Sequence, residues 1–272
     1  MLDQKKEMLR NLFMEYGRED VCVAFSGGVD SSLVLILACE AAKRTGKRVY
    51  AVTMDTVLHP MEDLEAAKMV LKGTGAIHKV ITLDELAVPK LADNPPDRCY
   101  LCKKALFGRM LDFARQEGCA HLLEGSNEDD LHVYRPGLLA VKELGVKSPL
   151  ARCRITKEEV RALAAELGIP TAARPSAPCL ATRLPYGARL DLALLKRIEK
   201  GEEYLKGLGL GNVRIRVHGD ILRLETDLEG TGLILEKREE VLERLREVGC
   251  TYFTLDLEGF RSGSMDLTLE KE

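Results

Sequence analysis

Val21-Cys22-Val23-Ala24-Phe25-Ser26-Gly27-Gly28-Val29-Asp30-Ser31-Ser32 is the stretch on which the fold turns. Its first five residues are apolar without alternation, as a strand covered on both faces requires. A glycine-serine turn follows, and then a helical pattern from about Ser31 to Lys43 that ends near Gly46. A strand-turn-helix junction of this kind exposes backbone amides at the positive end of a helix dipole, which makes an anion site. Gly27 and Gly28 let the backbone approach a phosphate closely, and Ser26, Ser31 and Ser32 add hydroxyl donors. Asp30 would repel a phosphate unless a cation lay between them, so it implies Mg²⁺. The spacing fits neither a Walker loop nor a dinucleotide fingerprint. The plainer alternative is a glycine turn capped by serines.

On either side the chain alternates between two periods. Residues 2–16 form an amphipathic helix stopped by Gly17, and Val49 to Met54 is a second buried strand. Pro60 opens a helix that Gly73 closes, Ile77 to Leu83 is a third strand, and 89–98 is a loop. A helix from about Leu101 to Gln116 precedes a fourth strand, His121 to Glu124. Thr156 and Glu159 form a capping box for a helix reaching Leu167. Buried strands alternating with helices predict an α/β fold with a parallel, doubly wound sheet. Beyond Pro185 the rhythm changes: a charged helix (191–206), strands Val213–Val217 and Ile221–Glu225, a helix near 237–247, and a strand Tyr252–Leu257. The predicted division is therefore a first domain, 1–185, and a smaller α+β domain, 186–272.

The 272 residues carry 40 Lys and Arg against 43 Asp and Glu, a net charge of −3, and 46% are hydrophobic. This profile excludes a disordered, collagen-like or disulfide-stapled chain and argues against a dedicated nucleic-acid binder. No apolar run is long enough to span a membrane. Met1 to Glu7 is acidic and lacks the apolar core of a signal peptide, so a cytoplasmic protein is expected.

Eight cysteines in a reducing compartment then need explaining. Cys22 and Cys39 lie in apolar runs and read as small hydrophobes. Cys119, Cys153 and Cys250 have no partners in the sequence, and core packing is their default. Cys99 and Cys102 sit on one turn between Arg98 and Lys103, where positive charge and a helix N-terminus favour thiolate. Such a pair can be a redox dithiol, half a zinc site or part of an iron–sulfur site. Zinc requires two more ligands, and no second close pair exists. The candidate third ligand is Cys179, in a loop stiffened by Pro175 and Pro178, with Arg183 nearby. A second concentration of charge is Val213-Arg214-Ile215-Arg216-Val217-His218. Its alternation puts the two arginines about 7 Å apart on one strand face. They could converge on a phosphate, or simply protect an exposed edge strand.

Phe25 to Ser31 resembles the PP-loop of the ATP pyrophosphatase superfamily, which includes NAD synthetase, GMP synthetase and tRNA thiolation enzymes. That resemblance implies cleavage of ATP to AMP and pyrophosphate through an adenylated oxygen. Glu124 to Asp130, followed by Tyr134-Arg135-Pro136-Gly137, resembles the second superfamily block. Glu128 and Asp129 would join Asp30 in holding Mg²⁺, and Met54 and Gly125 would complete the nucleotide-binding set.

Taken together, the PP-loop, Arg98–Lys103, the second block, the Pro175–Gly187 loop, Val213–Gly219 and Gly259–Ser262 resemble the ATP-dependent sulfur transferases of the LarE type over essentially the whole chain. The resemblance implies a substrate, pyridinium-3,5-biscarboxylic acid mononucleotide, whose carboxylates are adenylated and converted to thiocarboxylates for a nickel-pincer nucleotide. In the sacrificial members the cysteine matching Cys179 is consumed as sulfur donor. Those members lack counterparts of Cys99 and Cys102. In the three-cysteine variant the implied arrangement is a [4Fe-4S] cluster on Cys99, Cys102 and Cys179, whose open iron carries the transferred sulfide. Within the resemblance, Arg214, Arg216 and Arg261 become the anchor for the substrate phosphate, and Lys103 neutralises charge during acyl transfer. The implied assembly is a homo-oligomer, a hexamer. Two other readings are a tRNA thiolation enzyme, which would want a basic surface, and a non-catalytic sensor of ATP and a cluster.

Overall fold

The computed structural model describes residues 2–59, 62–133, 135–172, 179–261 and 263–268. In chain order come α1 (Leu2–Tyr16), β1 (Val21–Ala24), α2 (Val29–Thr45), β2 (Val49–Thr56), α3 (Glu62–Leu71), β3 (Ile77–Leu83), α4 (Arg98–Gln116), β4 (His121–Leu123), α5 (Gly137–Glu143), α6 (Pro149–Arg152) and α7 (Lys157–Glu166). There follow α8 (Leu192–Gly207), β5 (Val213–His218), β6 (Ile221–Thr226), α9 (Leu228–Glu236), α10 (Arg238–Leu245) and β7 (Tyr252–Leu255). The chain divides into two compact units, Met1–Val88 with Asp97–Ala177 and Pro89–Pro96 with Pro178–Glu272.

In the first unit four parallel strands lie in the order β3-β2-β1-β4. The continuous apolar run of β1 is needed because each face of the sheet has its own core. Val21 and Val23 face a cluster built with α1, α2 and α7, through residues such as Leu12, Leu33 and Val160. Cys22 points the other way, against Phe107, Met110 and Ala114 of α4 and Val141 of α5. On β2, Val49 and Ala51 join the first cluster while Tyr50 and Val52 join the second. Helices on both faces make this the doubly wound α/β fold that the alternation predicted. Only β3 departs from the buried pattern: it is an edge strand, with Ile77 and Val80 exposed. The Thr156–Glu159 capping box forms in both directions at the start of α7. No helix among the described residues is long and apolar enough to cross a membrane.

α4 starts a turn earlier than the sequence suggested, because the Asp97 carbonyl accepts from Tyr100 and Leu101 N–H at 2.9 and 3.1 Å. Cys99 therefore stands on its first turn and Cys102 at the start of its second. Pro60, Tyr134 and the Pro175–Pro178 stretch fall outside the described residues.

The second unit is a three-stranded sheet in the order β5-β6-β7, with β5–β6 antiparallel and β6–β7 parallel. The expected helix near 237–247 is shorter, and α9, which the sequence did not suggest, precedes it. Asp227 starts α9 by accepting the Gly230 N–H at 2.8 Å. The expected last strand ends at Leu255, and Leu257 is fully exposed.

Residues 89–96 group with this second unit, not with their chain neighbours, and backbone hydrogen bonds are the reason. Asn94 O accepts Gly187 N–H at 2.9 Å, and Ala92 O accepts Leu190 N–H at 2.7 Å. Asn94 is fully buried, and its amide donates to the Leu184 and Pro185 carbonyls at 3.3 and 2.7 Å. Its φ of 51° is a left-handed conformation that asparagine tolerates better than most residues. The division accordingly differs from the 185/186 boundary read from the sequence.

Candidate active site

The nucleotide loop leaves the C-terminal end of β1 and turns into α2. Gly27 takes the left-handed conformation (φ 81°) that a side chain would resist, and Gly28 is the N-cap of α2. Ser31 Oγ lies 3.1 Å from Ser26 Oγ and donates to Gly28 O at 3.1 Å, so the serines tie the loop to the first helical turn. Ser32 is fully buried and accepts from Thr171 Oγ1 at 3.3 Å. Ser31 and Ser32 thus brace the loop, while the amides at the start of α2 face outward from the helix end. Gly125 closes the site from β4: a Cβ there would lie 2.9 Å from Ser31 N and 3.1 Å from Asp30 C. Only glycine permits this approach. Met54, half-buried near the end of β2, packs on the α4 side of the sheet.

Asp30 is held from two sides. Asn127 Nδ2 donates to Oδ1 at 3.0 Å, and Lys157 Nζ forms an ion pair with Oδ2. Lys157 also donates its backbone N–H to Asp129 Oδ2 at 2.7 Å. One residue at the start of α7 therefore links two predicted cation ligands. Glu128 pairs with His132 at 3.1 Å, and Asp130 with Arg135 at 2.9 Å. These oxygen donors suit a hard cation. Among the described residues, however, no three His, Cys, Asp or Glu side chains are gathered as a metal site. Lys157 was missed in the sequence, where only the capping box beside it carried a signal.

The N-terminal end of α4 presents Cys99, exposed, and Cys102, half-buried. Arg98 is 4% exposed, and its guanidinium lies 3.9 Å from Cys99 Sγ. Lys103 lays its stem across Gly137, where a Cβ would meet its Cδ at 2.6 Å, and its ammonium is 6.0 Å from the Phe107 ring. Gly137 thus serves as the seat for Lys103. No disulfide joins any of the eight cysteines.

In the second unit, Cys179 precedes a short 3₁₀ turn, Leu180–Arg183, and its carbonyl accepts from Thr182 Oγ1 at 2.8 Å. Arg183 reaches α8, where Glu202 takes it bidentately at 2.9 and 2.7 Å, with both side chains buried. It also donates to Cys179 O at 3.3 Å. Glu202 further accepts the Ile215 N–H at 2.9 Å, so one buried carboxylate joins the cysteine loop to β5.

Arg214 and Arg216 are 8% and 5% exposed, which rules out the exposed-edge reading of their strand. Arg216 pairs with Glu225 at 3.0 Å and donates to Thr182 O at 2.7 Å. Arg214 lies over the Phe260 ring at 5.2 Å, and Arg261 pairs with Glu258 at 2.6 Å. Arg214 Nε, His218 Nε2, Arg223 Nε and Arg261 Nε are buried without a hydrogen-bond partner. Burial, then the Arg183 charge, lowers the Arg214 pKa, while burial and the charges of Arg223 and Arg216 hold His218 below its usual value. Arg223 Nε has Asp256 at 3.6 Å, whereas a buried polar group left without any partner costs about 1–3 kcal/mol. Such a cluster is chemically suited to an anion.

A family profile described as NAD synthase matches residues 1–93. A pyridinium-3,5-bisthiocarboxylic acid mononucleotide synthase of Lactiplantibacillus plantarum is 38% identical over 251 residues, covering 92% of this chain and 90% of that protein. An uncharacterised protein of Synechocystis is 37% identical with both chains fully covered. Another, from Methanocaldococcus jannaschii, is 30% identical over 94% of this chain and 96% of its own length.

Proposed function

Because the chain belongs to the family of the pyridinium-3,5-bisthiocarboxylic acid mononucleotide synthase, a family of ATP-dependent sulfurtransferases, we propose that it activates the carboxylates of pyridinium-3,5-biscarboxylic acid mononucleotide and converts them to thiocarboxylates. The observation that carries this reading is the 38% identity over 92% of the chain. The amides at the start of α2 receive the pyrophosphate end of ATP, with Ser26, Gly27, Gly28, Ser31 and Ser32 shaping the loop. The substrate carboxylate attacks the α-phosphorus, pyrophosphate leaves, and an acyl-adenylate forms. In the free protein Lys157 neutralises Asp30. Asp30, Glu128 and Asp129 would hold Mg²⁺, which when bound would offset phosphate charge, and Lys157, seated between Asp30 and Asp129, supplies a further positive charge at this end of the loop. Lys103 offsets the negative charge that develops during acyl transfer.

The substrate phosphate is held by Arg214, Arg216 and Arg261. The buried Nε groups of Arg214 and Arg261, which have no hydrogen-bond partner, support this assignment, since a phosphate would accept from them; Arg216, already paired with Glu225, adds its charge beside them. Cys99, Cys102 and Cys179 would hold a [4Fe-4S] cluster, which when bound supplies a transferable sulfide. Three accessible thiols would supply three of the four thiolates that a [4Fe-4S] cluster ordinarily takes, so one iron would stay open to a sulfide. The enzyme works in the cytoplasm as a homo-oligomer, a hexamer, without nucleic acid.

Pyrophosphate release tests this reading. It should require the pyridinium dicarboxylate and ignore added tRNA. Release that depends on tRNA and ignores the dicarboxylate would overturn it.

A further inference from the structure

Two cysteines assigned to packing in the sequence prove to be neighbours. Cys22 is fully buried on β1, whereas Cys119 is half-buried in the turn between α4 and β4, and their sulfurs are 3.4 Å apart across 97 residues of sequence. Both backbones are fixed. Cys119 N–H donates to Ala114 O at 2.8 Å, and the next residue, Ala120, donates to Asp20 O at 2.9 Å. The contact is therefore built into the pairing of β1 with the start of β4. A disulfide needs the sulfurs at about 2.05 Å, so from 3.4 Å they must close by roughly 1.4 Å.

The two thiols differ in a way that assigns them roles. Cys22 donates its S–H toward Cys119, which lowers the Cys119 pKa against the opposing effect of burial; among the charges facing it, Arg48 acts in the same direction and Asp20 and Glu117 oppose. The same hydrogen bond and deeper burial raise Cys22. Tyr50, facing the same corner, bridges Arg48 and Glu117 at 2.7 and 2.8 Å. Cys119 is thus the more exposed of the two and the one whose thiolate its neighbour would stabilise, which makes it the attacking sulfur and Cys22 the buried partner.

We propose that Cys119 and Cys22 form a peroxide-oxidised modification site, in which Cys119 is the reacting thiol and Cys22 resolves it into an intramolecular disulfide. The Cys119 thiolate takes one oxygen from hydrogen peroxide, becomes a sulfenic acid and releases hydroxide. Cys22 then attacks that sulfur, the S–S bond forms, and the sulfenic oxygen leaves as water with the Cys22 proton. Two thiols are oxidised and one peroxide is reduced to two waters. The cross-link ties β1 to the end of α4 near the N-terminal edge of the sheet, while the nucleotide loop leaves the opposite end of β1. It closes a long loop, so the oxidised protein should melt higher, by about 4 °C or more.

The test is peptide mapping of the full chain after treatment with one equivalent of hydrogen peroxide and alkylation of the remaining thiols. A linked peptide lighter by two hydrogens, restored by dithiothreitol, is expected. Cys39 shares the tryptic peptide of Cys22, so Cys22→Ser must abolish the link and leave Cys119 as a sulfenic acid trapped by dimedone. Cys119→Ser must leave Cys22 reduced. The proposal fails if the native chain gives no link, if the link survives Cys22→Ser, or if Cys22 is oxidised equally in Cys119→Ser.

Discussion

Replacing Gly125 by Ala tests the nucleotide loop at its tightest contact. Gly125 is not among the glycines with positive φ, so the substitution introduces no backbone strain of its own. The perturbation is purely steric. The new methyl would sit 2.9 Å from Ser31 N and 3.1 Å from both Asp30 C and Asp30 Cβ. All three atoms belong to the first turn of α2, and none is the end of a flexible side chain. The turn or the end of β4 must therefore move by several tenths of an ångström. Overpacking of this kind costs about 1–3 kcal/mol. If the loop bears the cost when it receives phosphate, kcat/KM for ATP falls by about 5- to 150-fold. The assay is ATP-dependent pyrophosphate release, read beside the melting temperature. Gly28→Ala is the comparison. Its Cβ would come no closer than 3.4 Å, to Ser26 Oγ, and its φ of −72° suits alanine. Alanine is a poorer N-cap than glycine, so that variant should melt slightly below the native temperature, and a loss in ATP affinity beyond this reports how closely phosphate approaches the backbone. Native kcat/KM and melting temperature in Gly125→Ala would refute the claimed closure.

Three further outcomes follow from the same structure. Purified without oxygen, the protein should be brown with about four irons per chain, and Cys99→Ala should remove them; colourless protein whose Cys179 loses the mass of H₂S after one turnover would instead make Cys179 a sacrificial donor. Arg261→Gln should raise KM for the mononucleotide about tenfold with kcat nearly unchanged, and should not affect a substrate lacking the phosphate; equal effects on both would remove Arg261 from the phosphate site. His78, His121 and His218 are all held below the usual histidine pKa by burial, so the unfolded chain binds their protons more readily. Their contribution to stability is complete above the unfolded value near 6.5 and is lost as pH falls below it, by at most about 1.4 kcal/mol per pH unit for each; thermal melts of His218→Asn should show a shallower acid slope, and an unchanged slope would count against this assignment.

What was legible in the sequence was local. The apolar run of β1, the glycine-serine turn and the Thr156–Glu159 capping box each lie within a few residues, and each forms as expected. What was not legible depends on partners far along the chain. Nothing near Lys157 indicates that its ammonium meets Asp30, 127 residues away. The alternation of β5 identified Arg214 and Arg216, but not that Glu225, on the paired strand, holds one of them. Asn94 lies in a stretch that reads as a loop, and its attachment to Leu184 and Pro185 exists only in three dimensions. α9 was hidden because Gly230 and Gly232 weaken its helical pattern. Gly230 is there because a side chain would collide with Thr226 and Leu210. Cys22 and Cys119 were each apolar enough to pass as packing residues, and only the register of β1 against β4 makes them a pair.

The most direct test of sulfur transfer is the mass of the small-molecule product. The full chain is purified anaerobically and incubated with ATP, Mg²⁺, a sulfide source and pyridinium-3,5-biscarboxylic acid mononucleotide. Each carboxylate converted should replace one oxygen by sulfur, with one AMP and one pyrophosphate formed per exchange. AMP and pyrophosphate formed with the mononucleotide recovered at its original mass, or converted to an amide, would contradict sulfur transfer.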